Sequence, residues 1–236
     1  MEGLALEPRD RPTGDGHKVA SPRLQAVLAV EIEEDRPPQD RSCCDFFTVP
    51  TVTFRVLFVF IVQCHERRRV VHFHVTAHPT AEWSAQQIVE AFPADGTEPR
   101  YLIRDRDSIY GEYFRQRVKN MGIKEVVIAW RSPWQNPYCE RVGGTLRREC
   151  LDHVIVLNET HLRRILVSFL DYYHASRPHQ SLHRNAPTPR HIEPPSRGQV
   201  IAIPQVGGLH HRYCARCLAS SRSSCVLVSL SPTCAK

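Results

Sequence analysis

The chain has 236 residues, 42% hydrophobic and 24% charged. That balance is one of a soluble globular protein and excludes a wholly disordered, collagen-like or coiled-coil chain. The net charge of +6 is unevenly spread: residues 1–140 carry 18 Lys and Arg against 20 Asp and Glu, whereas residues 141–236 carry 13 against 5. A basic C-terminal part fits a polyanionic partner such as nucleic acid.

In chain order, residues 1–40 mix charges with five prolines and hold one short apolar stretch, Leu24–Ile32, a pattern that predicts a disordered arm. Residues 41–190 read as the folded core. A short strand is expected around Asp45–Val49, then two runs rich in Val, Phe and Ile, Phe54–Val62 and Val70–Val75, which flank the polar Gln63–Arg69 as a β-hairpin does. Arg67, Arg68 and Arg69 are expected at its solvated tip.

Thr80 is placed to cap a helix whose apolar positions Ala81, Ala85, Ile88, Val89 and Phe92 share one face, and Pro93 ends it. Tyr101–Ile103 predicts a short strand, Tyr110–Met121 a helix stopped by Gly122, and Ile123–Trp130 the next strand. A strand, helix and strand of this size cross over into a parallel pair. Asn158 then caps a long helix with the apolar stripe Leu162, Ile165, Leu166, Phe169, Leu170 and Tyr173. The expected fold class is therefore α/β, a mixed five-stranded sheet flanked by helices. Residues 191–236 are read as a basic, mostly irregular tail with one short strand at Gln199–Ile203.

The longest apolar run, Val56–Val62, is far short of the ~20 residues a membrane-spanning helix needs. The first thirty residues show no signal peptide, so a cytoplasmic, nucleoid-associated location is expected. The nine cysteines lack framework spacing and are read as reduced thiols. Cys214 and Cys217 form a single CxxC beside His210 and His211, but no second CxxC follows, which argues against a structural zinc.

Three acids stand at strand ends or a helix start: Asp45, Asp105 and Glu140. Carboxylates brought together in a cleft repel one another, and hard divalent cations with oxygen preference, Mg²⁺ or Mn²⁺, relieve that repulsion. A lone strand-end Asp is more often a turn former. On the helix through Glu140, positions Gly144, Arg147 and Arg148 share its face, and the two arginines are candidates for gripping DNA phosphates. Arg177 is a candidate for touching DNA or for capping the long helix, and His179 is read as structural. Trp134 and Tyr138, in the loop leading to Glu140, are read as packing residues in preference to stacking on a flipped or end base.

The order Asp45, Asp105, Glu140, with 34 residues between the last two, resembles the Asp-Asp-Glu catalytic core of insertion-sequence transposases and retroviral-type integrases. Arg104-Asp105-Arg106-Asp107-Ser108-Ile109-Tyr110-Gly111 looks like the second-acid segment of that family. Ser132-Pro133 through Asn136, Glu140 and Thr145-Leu146-Arg147-Arg148-Glu149 look like its third-acid helix. Tyr173-His174-Ala175-Ser176-Arg177-Pro178-His179-Gln180-Ser181-Leu182 resembles the segment that ends the core, with His174 where Asn is common. The likeness runs from about residue 43 to 213.

The resemblance implies a ribonuclease-H-like fold and metal-dependent cleavage of DNA ends followed by their transfer into target DNA. It also implies two Mg²⁺ or Mn²⁺ ions held by Asp45, Asp105 and Glu140, and a homo-oligomer on DNA with no membrane partner. Residues 1–40 show no helix-turn-helix pattern of the kind that recognises element ends. The acids leave open a nuclease of the same fold that only hydrolyses, and the basic half leaves open a truncated remnant that only binds DNA.

Overall fold

The computed structural model describes residues 40–216 apart from 94, 95, 97, 195 and 197. The chain divides into units 1–37 and 38–236; the arm expected over 1–40 lies almost wholly outside the described residues. Three strands rich in Val, Ile and Phe come first: β1 (Arg41–Pro50), β2 (Val56–Cys64) and β3 (Val70–Thr76). They form an antiparallel meander, with β1 paired to β2 along its length from Ser42↔Cys64 to Pro50↔Val56. Two short strands, β4 (Tyr101–Arg104) and β5 (Lys124–Val127), then add in parallel on the other edge of β1. The sheet order is β3-β2-β1-β4-β5, so the five-stranded mixed sheet expected from the sequence is the one observed.

Alternation along the strands divides the core in two. One face carries Val49, Leu57, Val59 and Ile61 against helices α3 (Pro137–Glu149) and α4 (Glu159–Ala175). The other carries Cys44, Phe60 and Val62 against α1 (Ala81–Ala91) and α2 (Glu112–Asn120). Both expected helix caps form: Thr80 Oγ1 accepts from the Trp83 amide at 3.2 Å, and Asn158 Oδ1 accepts from the His161 amide at 2.8 Å. Each satisfies an amide that the first helical turn leaves without a partner. No helix among the described residues is long and apolar enough to cross a membrane.

Four expectations are corrected. The first strand is ten residues long, Arg41–Pro50, so Asp45 sits within it rather than at its start, because the whole segment finds partners on β2. The strand expected over Ile123–Trp130 ends at Val127, where side chains take over the backbone groups that a longer ladder would use. Arg106 Nε donates to the Ile128 carbonyl at 2.8 Å, and the Ala129 amide donates to Gln135 Oε1 at 2.7 Å.

The arginine cluster is not free in solvent. Arg67 donates to the Pro187 and Ala186 carbonyls at 2.6 and 2.8 Å, and the Arg68 guanidinium lies 4.9 Å from the centre of the Tyr138 ring. The tail is also more ordered than expected. β6 (Gln199–Gln205) and β7 (His210–Arg216) form an antiparallel ribbon, turned through Gly207 and Gly208 with φ of 64° and 95°, values that glycine adopts without steric penalty.

That ribbon docks through His210, which stacks on Tyr172 at 4.4 Å and has its Nε2 2.8 Å from the Glu149 carbonyl. His210 therefore has a packing role. Cys214 lies on β7, and Cys217 lies outside the described residues. The cysteines among the described residues are free thiols.

Three histidines, His65 and His174 half-buried and His179 buried, tie the α3–α4 side together. His174 Nε2 accepts from the Val70 amide at 3.1 Å, which requires the neutral ring. Burial, with Arg69 nearby, lowers its pKa to about 4; burial and neighbouring arginines also lower His65 and His179 to about 4. The unfolded chain therefore binds protons between about pH 6.5 and 4 that the folded chain refuses, so stability falls on acidification through that window. These three groups are expected to lower the melting temperature as pH falls from 7 to 4.5, against the opposite contribution of Asp45. His174→Asn, which keeps an acceptor for Val70 without a titrating ring, is expected to flatten part of that slope; an unchanged slope would remove His174 from the account.

Candidate active site

The parallel register between β1 and β4 runs Arg41↔Tyr101, Ser42↔Leu102, Cys43↔Ile103. Extended by two residues, it sets Asp45 level with Asp105, just past the end of β4. Asp45 and Cys43 are two apart and so face the same side of the sheet, and Cys43 Sγ meets Cys139 Sγ of α3 at 2.7 Å. Glu140 follows Cys139 in the first turn of that helix. Asp45 and Asp105 are partly buried and Glu140 is exposed. Three separate pieces of chain thus carry the three acids, and the charges of Asp105 and Glu140 both act on Asp45 in the middle of β1.

Their electrostatics agree with that placement. The Asp45 carboxyl is pushed up to about 7, first by burial and then by the charges of Asp105 and Glu140; a hydrogen bond from the Phe46 amide at 2.8 Å opposes the rise. Asp105 is also raised, chiefly by burial, while its Oδ1 accepts from the Asp107 amide at 3.2 Å. Among the described residues no Lys or Arg forms a salt bridge with any of the three. An all-oxygen donor set with unrelieved repulsion fits a hard divalent cation. As placed, the side chains are not drawn into a cage: no group of three or more His, Cys, Asp or Glu among the described residues is arranged to hold a metal ion.

Two residues that sequence reasoning did not single out position this cluster. Asn136 is buried and its Nδ2 donates to the Cys44 carbonyl at 3.3 Å, which ties the approach to α3 to the residue before Asp45. Its Oδ1 is buried with no hydrogen-bond partner. Arg104, only 4% exposed, pairs with Glu125 of β5 at 2.7 Å and donates to the Asp105 carbonyl at 2.9 Å. A spacing of four residues from Glu140 was the available signal for Asn136. Arg104 had none, because its partner is set by strand register.

Arg147 and Arg148 are exposed on α3. Arg147 Nη2 donates to the Thr48 carbonyl at 3.3 Å, and neither has a carboxylate partner among the described residues. Arg177 is differently engaged: its Nε donates to Glu149 at 2.8 Å and a second bond makes the pair bidentate. That geometry makes Arg177 a tie between α3 and the segment after α4. His179 is buried with its ring edge-on to Tyr173 at 4.7 Å, a structural placement.

Gly143 and Gly144 are not required by close packing. A Cβ at Gly143 would meet Phe47 at an ordinary 3.8 Å, and one at Gly144 would meet only the end of the Arg148 side chain. A cleft of about 410 Å³ lies at the other end of β1, lined by Thr48–Val52, Arg147, Leu151 and neighbouring residues, and does not include the acids.

Sheet order, mixed pairing and helices on both faces define a ribonuclease-H-like fold, the architecture of integrase and transposase catalytic cores. Residues 121–187 match the family model described as the integrase core domain; the match takes in Glu140 and stops short of Asp45 and Asp105. No curated protein matches the chain.

Among solved structures, a chain of the simian T-cell lymphotropic virus intasome in complex with PP2A regulatory subunit B56 gamma is similar at 14% identity and a TM-score of 0.51, covering 75% of this chain and 66% of that one. The catalytic domain of Mos1 mariner transposase is similar at 10% identity and a TM-score of 0.54, covering 63% and 78%. The same Mos1 domain with Raltegravir and Mg gives 10% identity, a TM-score of 0.55, and 63% and 79% coverage. At these identities the likeness is one of fold. It bears out the resemblance drawn from the motifs.

Proposed function

We propose that this chain is the catalytic core of a DNA transposase or integrase, which cleaves DNA strands and joins the freed 3′ end to target DNA. The observation that supports the reading is the β1–β4 register, which extended by two residues sets Asp45 opposite Asp105, together with the charge of Glu140 acting on Asp45. Mg²⁺ or Mn²⁺ held by these three carboxylates would supply Lewis-acid activation of the phosphodiester and countercharge for the attacking and leaving oxygens; a Mos1 structure of this fold contains Mg.

In this reading Asp45 and Asp105 give a fixed pair of oxygens from the sheet, and Glu140 adds the third from the exposed first turn of α3. Arg147 and Arg148 face solvent on the same helix and neutralise DNA phosphates. Asn136 and Arg104 hold the segments that bear the acids. A dimer or larger assembly on DNA, in a cytoplasmic setting, completes the proposal.

The test uses labelled DNA with presumed element ends, incubated with protein and Mg²⁺ or Mn²⁺. Metal-dependent nicking and joining are expected from the wild type, and both are expected to be lost in Asp105→Asn and Glu140→Gln with DNA affinity nearly unchanged. Nicking without joining would mark a nuclease. That no group of three potential metal ligands is gathered among the described residues favours a second reading, a core that binds DNA without acting on it. That reading predicts salt-sensitive binding and no metal-dependent product.

A further inference from the structure

The chain has three tryptophans. Trp83 packs among Phe46, Phe60 and His74, but Trp130 is 78% exposed and Trp134 63% exposed. Indoles are usually recruited for the apolar area they bury, and two within five residues, both facing water, contribute little to the core. The expectation that Trp134 packs is therefore corrected. Tyr138 does pack, against His65 at 4.3 Å and under Arg68.

The loop that displays the two indoles is held in shape. Arg106 Nε fixes the Ile128 carbonyl, and Gln135 Oε1 accepts from the Ala129 amide. Ser132 Oγ donates to the Trp130 carbonyl at 3.1 Å, and Pro133–Gln135 close a 3₁₀ turn. Asn136 anchors the far end to Cys44. Arg131 takes a φ of 53°, the left-handed region that non-glycine residues occupy at a cost.

These anchors also locate the loop. Arg106 follows Asp105, Cys44 precedes Asp45, and Glu140 lies one helical turn beyond Asn136. Residues 126–139 contain no acid and one charge, Arg131; Arg106 and Arg141 on either side are exposed. The composition is thus two open π faces with cations, beside a cluster of carboxylates.

We propose that Trp130 and Trp134 form a stacking site for unpaired or terminal DNA bases next to the phosphodiester that the acids act on. Aromatic faces bind bases of any identity, but only where those faces are exposed, at a strand end, an overhang or a flipped nucleotide. The flanking arginines hold the adjoining phosphates. This inference rests on the proposed reading of Asp45, Asp105 and Glu140 for its position, and on the indoles for its chemistry.

Fluorescence tests it directly. In Trp83→Phe protein the only indoles are Trp130 and Trp134, and without divalent cation no cleavage competes with binding. Titration with a duplex bearing a single-stranded 3′ overhang is expected to quench the emission, and the same duplex with an abasic overhang is not. Trp134→Ala is expected to weaken binding of the base-bearing overhang roughly tenfold or more and to leave the abasic duplex almost unaffected, while Trp134→Phe restores most of the difference.

Equal quenching by abasic and base-bearing DNA would overturn the proposal. So would emission that changes with protein concentration in the absence of DNA, which would make the loop a self-association surface. Base-dependent quenching in a protein that never cleaves upholds the stacking site and overturns the catalytic reading. Cleavage without base-dependent quenching does the reverse.

Discussion

Asp45→Asn is expected to make the protein more stable at pH 8 in the absence of divalent cations, and to abolish cleavage. Burial and the charges of Asp105 and Glu140 push the Asp45 carboxyl up to about 7, against an ordinary value near 3.9. Between those two values the folded chain keeps a proton that the unfolded chain has lost. Stability from this group is complete below the lower value and is lost as pH rises through the upper one. Above it, the ionised carboxylate opposes folding by on the order of a few kcal/mol, and the neutral amide removes that opposition.

Thermal melts of wild type and variant should coincide near pH 4 and separate as pH rises, with Asp45→Asn the higher. Mg²⁺ should raise the wild-type melting temperature at pH 8 and leave that of the variant nearly unchanged, since the cation relieves the repulsion the substitution has already removed. A variant no more stable than wild type at pH 8 would show that the three acids do not repel one another. The expected gain in stability would instead mean that the chain keeps Asp45 at a cost to folding, as functional carboxylates often do.

The second large effect is expected at Arg104. Its guanidinium is almost fully buried, pairs with Glu125 at 2.7 Å, and lies over the rings of Tyr110 and Phe114 at 5.1 and 5.8 Å. Removing one partner of a buried pair leaves the other charge uncompensated, which costs about 3–5 kcal/mol. Glu125 has little else to turn to, since its Oε1 is already buried without a partner.

Arg104→Met should therefore lower the melting temperature by roughly 10 °C, at the few degrees per kcal/mol typical of a domain of this size. The double variant Arg104→Met, Glu125→Leu should recover most of the loss, because apolar replacement of a whole buried pair is often neutral. A single variant that melts like the wild type would show the pair to be solvated. Arg104 also donates to the Asp105 carbonyl, so loss of the pair is expected to loosen the strand end that carries the second acid.

Much of the architecture is legible in the sequence. Runs rich in Val, Ile and Phe marked β2 and β3, and the capping residues Thr80 and Asn158 marked the starts of α1 and α4. These signals are local: a strand's alternation and a cap's side-chain acceptor act within a few residues. The tail was read as mostly irregular because a two-stranded ribbon exposed on both faces has no clean alternation; it takes its position from His210 stacking on Tyr172.

The site divides in the same way. Asp45, Asp105 and Glu140 were named from their order, their spacing and a family likeness, and those identities are properties of the sequence. The pairing of Arg177 was not legible because nothing local shows that Glu149, 28 residues earlier, meets it with both oxygens. For Trp134 the sequence left both stacking on a base and packing open and packing was preferred, since an indole in a sequence looks like a core residue until its exposure is known.

The sequence by itself determined the elements, their order and the three acids, because hydrophobic periodicity, capping and motif spacing are carried by neighbours along the chain. Only the tertiary structure decided that Asp45 stands level with Asp105, that Arg104 is locked to Glu125, and that two tryptophans face water beside the acids. Each of those depends on register between strands or on what a loop packs against. Register is set by the pairing of whole strands and by burial of whole faces, which no single segment specifies.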